Sequence, residues 1–132
     1  MAPVPPPAAI GPNSRFAAHD VPAEKSWESL LADVLKREGR LDIVVNNAGI
    51  SGGAGTPETT TVENWQQVQA VNSEGVFLGC KYAIRGMKHL GAGKTASKGS
   101  IVNISSVAGL IGSAGPTAYT ASKGAVRLLS KS

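Results

Sequence analysis

The sequence of 132 residues predicts an α/β fold in which helices cover a parallel sheet. The first observation is the order of its segments, in which short apolar runs alternate with longer amphipathic ones. Such alternation is typical of parallel strands that are joined by right-handed crossovers. The second observation is that polar residues follow each apolar run, at the sheet edge where ligands bind. The composition agrees with a globular chain, since 42% of the residues are apolar and 17% are charged.

The first half of the chain predicts a strand, a helix and a second strand. Residues 16–18 are interpreted as a short buried strand that leads into His19-Asp20-Val21. Residues 27–35 carry apolar side chains at i, i+3, i+4, i+7 and i+8, which predicts one stripe of an amphipathic helix. Gly39 is expected to stop this helix. Residues 41–45 form a nearly continuous apolar run, as expected for a strand that is covered on both faces.

The second half predicts two helices with a strand between them. Residues 60–63 match a capping box, which predicts the start of the second helix. Its apolar positions continue over residues 65–90. Residues 100–104 are expected to form the third strand, residues 109–116 a loop, and the chain from Tyr119 onward the third helix.

Composition also bounds the setting and the partners of the chain. Residues 1–14 are predicted to be a disordered leader rich in Pro and Ala, and residues 15–132 a single domain. The start of the chain lacks the basic and apolar regions of a signal peptide, and no apolar run approaches the ~20 residues that cross a bilayer. We therefore expect a cytoplasmic protein without a membrane contact. A net charge of +4, spread along a chain with two Phe, two Tyr and two Trp, predicts no nucleic-acid binding.

Tyr119 and Lys123 are the strongest candidates for chemistry. They lie four residues apart on the third predicted helix, so their side chains share one face. A free phenol stays protonated at neutral pH, and a neighbouring ammonium favours the phenolate. Such a pair is suited to general acid/base work. The alternative is an exposed tyrosine that packs on the stem of a lysine.

Two further polar residues stand at conspicuous positions. Ser106 ends the third strand, where its hydroxyl could bond a substrate oxygen or simply the backbone. Asn72 interrupts the second helix just before Gly75, and Asn and Gly together cost roughly 1 kcal/mol or more of helix propensity. A local violation of this kind can mark a functional position, or only an irregularity of the helix at Gly75.

Taken together, the motifs resemble those of the short-chain dehydrogenase/reductase family in their order and spacing. The matching segments are Asn46-Asn47-Ala48-Gly49, Asn72, Ile101-Val102-Asn103-Ile104-Ser105-Ser106 and Tyr119-Thr120-Ala121-Ser122-Lys123. The resemblance covers about residues 16–132 and is nearest to the subgroup of hydroxysteroid, cyclic-alcohol and sugar dehydrogenases. It implies a Rossmann-like, doubly wound parallel sheet, of which this chain holds only the central strands and helices.

The resemblance also implies a role for each matching residue. Tyr119 would be the general acid/base that interconverts a secondary alcohol and a ketone, and Lys123 would assist it and hold the nicotinamide ribose. Ser106 would orient the substrate oxygen, and Asn72 would hold a water that relays the proton. The cofactor would be NAD or NADP, and no metal site is expected. The implied cofactor-binding residues are Asp20, Val21, Asn47, Ala48, Gly49, Tyr119 and Lys123.

The chain departs from the family pattern at both ends, which leaves alternatives open. No glycine-rich phosphate turn precedes the first predicted strand, and the family's later strands and substrate lid do not follow residue 132. We therefore expect a truncated enzyme whose full-length form is a homo-oligomer. The alternative is a non-catalytic fragment that can only associate with a full-length relative. A third hypothesis, a P-loop at Gly93-Lys94-Thr95, conflicts with Lys88 at the position of the motif's first glycine.

Overall fold

A computed structural model of the chain describes residues 11–132, so most of the predicted leader lies outside the described residues. In chain order, the elements are α1 (Glu24–Glu38), β1 (Ile43–Asn46), α2 (Val62–Gln69), a π-helical segment (Ala70–Glu74), α3 (Gly75–Met87), β2 (Ser100–Asn103), α4 (Ala108–Ile111) and α5 (Thr117–Leu129). Strands and helices therefore alternate as the sequence predicts. No helix within residues 11–132 is both long enough and apolar enough to span a membrane.

Helix α1 confirms the first predicted helix and its stop signal. Trp27 is its buried anchor: the indole stacks on the ring of Tyr82 at a centroid distance of 6.5 Å. Its indole N–H donates to the carbonyl of Val21 at 2.8 Å. Gly39 ends the helix with φ of 69°, and its N–H donates to the carbonyl of Leu35 at 2.9 Å. A left-handed residue of this kind is readily adopted by glycine, which explains the stop.

The described sheet contains two parallel strands, so the prediction of a third strand at residues 16–18 is wrong. β1 and β2 pair in register from Ile43 opposite Ser100 to Asn46 opposite Asn103. Residues 16–18 form irregular chain, and 61% of the Phe16 side chain is exposed. A strand needs a neighbouring ladder for its backbone groups, and these three residues lie beside none in the described chain.

The second predicted helix is real, but it is interrupted and begins one residue later than the capping box implies. The hydroxyl of Thr61 accepts the N–H of Asn64 at 3.1 Å and caps α2. Thr60 is not the cap, because its hydroxyl donates to the carbonyl of Thr56 at 2.7 Å. Between α2 and α3, the backbone widens into the π-helical segment, and Asn72 lies at its centre. The irregularity that the sequence suggests at Gly75 therefore exists, but it occupies the five residues before that glycine.

Close packing joins α3 to the sheet. Gly79 faces Asn46, and a Cβ at residue 79 would collide with the Asn46 side chain. Asn46 is buried, and its amide nitrogen donates to Asn103 of β2 at 2.8 Å. Half-buried Cys80 lies against the same pair, with its Sγ 3.5 Å from the amide nitrogen of Asn103. Because Gly79 has no side chain, the helix can approach this amide pair.

The segment between β2 and α5 is more ordered than predicted. Residues 109–116 are predicted as a loop, but Ala108–Ile111 form one turn of helix, α4. Gly109 allows α4 to lie against α5, because a Cβ there would stand 2.5 Å from the carbonyl carbon of Lys123. Helix α5 begins at Thr117, two residues before the predicted start at Tyr119.

His19 lies against α1 and is partly buried. Its Nδ1 lies 2.8 Å from the hydroxyl of Ser26, and its ring meets Trp27 edge-on at a centroid distance of 4.2 Å. The Nε2 atom is buried and has no hydrogen-bond partner among the described residues. Burial lowers the pKa of His19, although the charge of Asp20 and the contact with Ser26 oppose this shift.

The substitution Gly79→Ala should destabilise the protein. The new methyl group would displace Asn46 from its bond to Asn103, and overpacking of this kind costs about 1–3 kcal/mol of the free energy of unfolding. Gly124→Ala is the matched control, because it lies in α5 and a Cβ at residue 124 would meet only the carbonyl oxygen of Gly109, at 4.0 Å. It should be neutral or stabilise by up to about 1 kcal/mol. Urea denaturation of both variants checks this, and equal effects would contradict the packing argument.

Stability should fall as His19 becomes protonated. The pKa of His19 is lower in the folded chain than its ordinary value of 6.5, so the unfolded chain takes up the proton first. The contribution of neutral His19 is therefore complete above about pH 6.5 and is lost as the pH falls toward the lower folded value. Urea midpoints at about pH 7.5 and about pH 5.5 should differ less in His19→Gln than in the wild type. His89→Gln is the control, because it makes the same change at the other histidine of the chain, which lies at an exposed position.

Candidate active site

Tyr119 and Lys123 lie one turn apart on α5, and the Lys123 Nζ atom is 5.7 Å from the centre of the Tyr119 ring. Lys123 is only 4% exposed. Its ammonium donates to the carbonyl of Ile104 at 2.7 Å, just beyond the end of β2. No carboxylate of residues 11–132 forms an ion pair with Lys123. The site therefore holds a positive charge beside a phenol without a counter-ion in the described chain.

The other tyrosine is in a contrasting environment. Tyr82 is 3% exposed, and its hydroxyl lies 2.9 Å from a carboxylate oxygen of Glu28 and 3.1 Å from one of Glu24. Burial and these two carboxylates raise the pKa of Tyr82 to about 12. Tyr82 therefore stays protonated at neutral pH, and of the two tyrosines only Tyr119 stands beside a buried ammonium.

Asn72 joins the turn after β1 to helix α5. It is fully buried, and its amide nitrogen donates to the carbonyl of Ile50 at 2.9 Å and to the hydroxyl of Ser122 at 3.0 Å. Its amide oxygen accepts the N–H of Ile50 at 2.8 Å. Both amide hydrogens are thus used within the protein, and one lone pair of the oxygen remains. The side chain acts first as a clamp between two elements.

Ser106 lies half-buried where β2 turns toward α4. Its hydroxyl oxygen accepts the N–H of Ala108 at 3.2 Å, so the backbone contact considered for this residue exists. The hydroxyl hydrogen and a second lone pair remain for another partner. The neighbouring Ser105 donates to the carbonyl of Lys123 at 2.8 Å, which fixes this segment against α5.

These elements converge at Gly49. A Cβ at residue 49 would lie 3.4 Å from the amide oxygen of Asn72 and 3.6 Å from Lys123 Nζ. The turn after β1, the π-helical segment and α5 therefore meet at one place, beside the end of β2. Asn47 and Ala48, which precede Gly49, are exposed.

The remaining predicted residues are Asp20, Val21, Asn47 and Ala48, and all but Asp20 line one cleft. Val21 lines a cleft of about 340 Å³ between α1, β1 and α3, together with Asn47 and Ala48. Asp20 is exposed, and its backbone N–H donates to the hydroxyl of Ser26 at 3.0 Å. The structure thus brings Val21 to the turn after β1 and leaves the side chain of Asp20 at the surface.

Part of a dinucleotide fits the residues that are present. Gly49 leaves space beside the buried Lys123 ammonium, while Asn47 and Ala48 stand exposed along the cleft that Val21 lines. The Lys123 ammonium and the Asn47 side-chain amide can bond the hydroxyl groups of a ribose, and the mainly apolar lining of the cleft suits the face of a planar ring. The P-loop hypothesis does not fit, because the Lys94 ammonium is buried, donates to the carbonyl of Leu41 at 2.6 Å and lies 3.7 Å from Asp42.

Sequence reasoning missed three residues that build the site: Ser105, Ser122 and Gln69. Ser105 and Ser122 lie inside the motifs that carry the family resemblance, so the motifs themselves were the available signal. Gln69 donates to the carbonyl of Ala118 at 3.0 Å and ties the end of α2 to the start of α5. Nothing in the local sequence pattern distinguishes it from the other polar residues of α2.

The family model described as short chain dehydrogenase matches residues 7–132. This chain belongs to the short-chain dehydrogenase family. The match covers the segments that the sequence singles out: Asn72 and Lys123 meet at the turn after β1, and Tyr119 lies beside Lys123. It also assigns the two-stranded parallel sheet and its helices to a Rossmann-like fold.

Named relatives and solved structures support the same assignment. The chain is 42% identical to an NADP-dependent (R)-specific alcohol dehydrogenase of Lentilactobacillus kefiri over 89% of its own length and 44% of that protein. It is 38% identical to a 3-beta-hydroxysteroid dehydrogenase of Comamonas testosteroni over 94% of its own length and 46% of that protein. A solved structure of ElxO with NADP bound superposes with a TM-score of 0.79 at 35% identity, covering 87% of this chain and 44% of ElxO. The chain spans less than half the length of each.

The substitution Asn72→Asp should destabilise the protein by about 2–4 kcal/mol, because an acceptor oxygen would face the Ile50 carbonyl in a buried site. The matched control is Asn64→Asp, because the Asn64 amide also donates to a loop carbonyl, that of Gly52 at 2.6 Å, but stays partly exposed. The control should lose no more than about 1 kcal/mol. Urea denaturation at neutral pH measures both, and an equal loss would show that burial of Asn72 is not what matters.

Proposed function

We propose that this chain carries the proton-transfer machinery of an NAD(P)-dependent oxidoreductase that interconverts a secondary alcohol and a ketone. The single observation that carries the proposal is the buried Lys123 ammonium beside the Tyr119 ring, at 5.7 Å from its centre. A positive charge at this position would stabilise the negative charge that develops while a proton is exchanged with a substrate oxygen. Family membership and the names of the relatives point to the same reaction class.

Each residue has a defined task in this proposal. Tyr119 donates a proton to the carbonyl oxygen during reduction and withdraws it during oxidation. Ser106 directs its free hydroxyl hydrogen at the same oxygen and orients it. Lys123 supplies the positive charge, while Asn72 holds the turn at Ile50 and offers its remaining lone pair to a proton-relaying water. When bound, the nicotinamide cofactor supplies or accepts the hydride.

The cofactor residues are proposed from the same geometry. Lys123 and Tyr119 would contact the nicotinamide ribose, and Asn47, Ala48 and Gly49 would border the adenosine ribose. Asp20 and Val21 would meet the adenine ring at the far end of the cleft. Support comes from the cleft shared by Val21, Asn47 and Ala48, and from the relatives whose names include NADP.

A second candidate function is association with a full-length relative without catalysis. One observation favours it: large apolar side chains are exposed on the helices that follow β1. They are Trp65, Phe77, Ile84 and Leu128, exposed by 40%, 50%, 47% and 63%. Exposed apolar surface of this kind often marks an interaction site.

Tyr119→Phe should remove turnover and leave cofactor binding nearly intact, because the ring that borders the ribose is kept and only its hydroxyl is lost. Loss of the phenolic proton should lower the rate of NADPH- or NADH-dependent ketone reduction by about 10²–10⁴-fold. Tyr82→Phe is the matched control: it removes the hydroxyl of the chain's other tyrosine and should leave the rate unchanged. Cofactor absorbance follows turnover with a panel of neutral ketones.

Cofactor binding is measured separately by thermal denaturation with excess NADH or NADPH. A ligand that binds only the folded state raises the melting temperature. The same rise in wild type and Tyr119→Phe is expected. If neither cofactor raises the melting temperature and no ketone is reduced, the chain is the non-catalytic fragment instead.

A further inference from the structure

We propose that Ser122 is a positioning residue that holds the Tyr119 turn of α5 in place against Asn72. Ser122 is completely buried. Its hydroxyl donates to the carbonyl of Tyr119 at 2.7 Å and accepts the amide N–H of Asn72 at 3.0 Å. The role in catalysis rests on the proposed function, since it concerns where the phenol of Tyr119 stands.

The second of these contacts makes Ser122 more than an ordinary helical serine. Serines in helices often donate to a carbonyl one turn back, and this bond alone carries no function. Here the same oxygen also receives a buried amide proton from another element. Asn72 is bonded in turn to both backbone groups of Ile50, so a chain of hydrogen bonds runs from the turn after β1 to the backbone of Tyr119.

The chemistry at residue 122 requires a group that donates and accepts at once. A hydroxyl does both, whereas a methyl group does neither. Without it, the amide proton of Asn72 and the carbonyl of Tyr119 both lose a buried partner. The Tyr119 turn then loses its bond to Asn72 and keeps the bond from Gln69 to the carbonyl of Ala118, so the ring has more freedom to move relative to the ammonium of Lys123.

Ser122→Ala should therefore lower kcat about 10- to 100-fold, because a misplacement of about 1 Å has an effect of this size. KM for the cofactor should change little, since Ser122 is completely buried and its hydroxyl bonds only Asn72 and the Tyr119 carbonyl among the described residues. Ser122→Thr keeps the hydroxyl and should restore most of kcat. Rates are compared at a temperature well below the melting temperature of every variant.

Two controls isolate the link to Asn72. Ser130→Ala removes an equivalent arrangement at the other end of α5, where the hydroxyl donates to Val126 at 2.8 Å and accepts from Asn103 at 2.9 Å. Thr120→Val removes a buried hydroxyl beside Tyr119 that has no hydrogen-bond partner among the described residues. Neither control should change kcat.

A measurement that does not depend on turnover separates this proposal from the proposed function. The chain has two tyrosines, so ¹³Cζ-labelled tyrosine yields one NMR resonance for Tyr82 and one for Tyr119. Ser122→Ala should move the Tyr119 resonance and leave that of Tyr82 in place, and both controls should leave both in place. If the wild type reduces no ketone, the proposed function fails, but the resonances still decide the position of the ring. A Tyr119 resonance unmoved by Ser122→Ala, or moved equally by either control, would overturn the role of Ser122.

Discussion

The buried ammonium of Lys123 is the constraint on which the rest of the site depends. A buried charge is strongly unfavourable unless polar groups solvate it, and the protein group that does so here is the carbonyl of Ile104, at 2.7 Å. Ile104 directly follows β2, so this bond fixes α5 to the end of the sheet. A second hydrogen bond joins the same two segments, because the hydroxyl of Ser105 donates to the carbonyl of Lys123 at 2.8 Å. The helix that carries Tyr119 is thereby attached to the strand end that carries Ser106.

The π-helical segment is the second feature on which the site depends, because it sets the direction of the Asn72 side chain. A single turn of this kind costs regular hydrogen bonding and is often found at functional positions. In this chain it places Asn72 in full burial, where the amide meets Ile50 on one side and Ser122 on the other. A continuous α-helix would rotate the residues after the segment by a different angle. The local irregularity thus serves the connection between the sheet and α5.

Features that depend on interactions between residues close in the sequence could be predicted, whereas features that depend on contacts between distant residues could not. Helix α1 and its end at Gly39 follow from local periodicity and backbone preference, and both are confirmed. The irregularity at Asn72 also follows from local propensity. The expected strand at residues 16–18 fails because a strand requires a partner that no local pattern reveals. The N-cap of α2 is Thr61 and not Thr60, because the hydroxyl of Thr60 donates to the carbonyl of Thr56.

The same division holds for the site. Tyr119, Lys123 and Ser106 could be predicted as site residues from motif spacing, because the phenol, the ammonium and the hydroxyl are groups that take part in proton transfer. The contacts of Ser122 with Asn72 and of Ser105 with Lys123 could not be predicted, because each hydroxyl meets a residue on an element that only folding brings near. The hydrogen bond from Lys94 to the carbonyl of Leu41 could not be predicted from the sequence either. Because this bond engages the ammonium, the loop does not fit a phosphate-binding site.

The two faces of the sheet differ in a way that governs how this chain behaves on its own. One face packs on α3 through Asn46, whereas Ile43, Val45 and Val102 on the other are 65%, 55% and 45% exposed. Parallel sheets ordinarily have apolar cover on both sides. Within residues 11–132 these three side chains stay accessible to water, so contact between two chains at this face would remove apolar surface from water and make the apparent stability of the chain depend on its concentration.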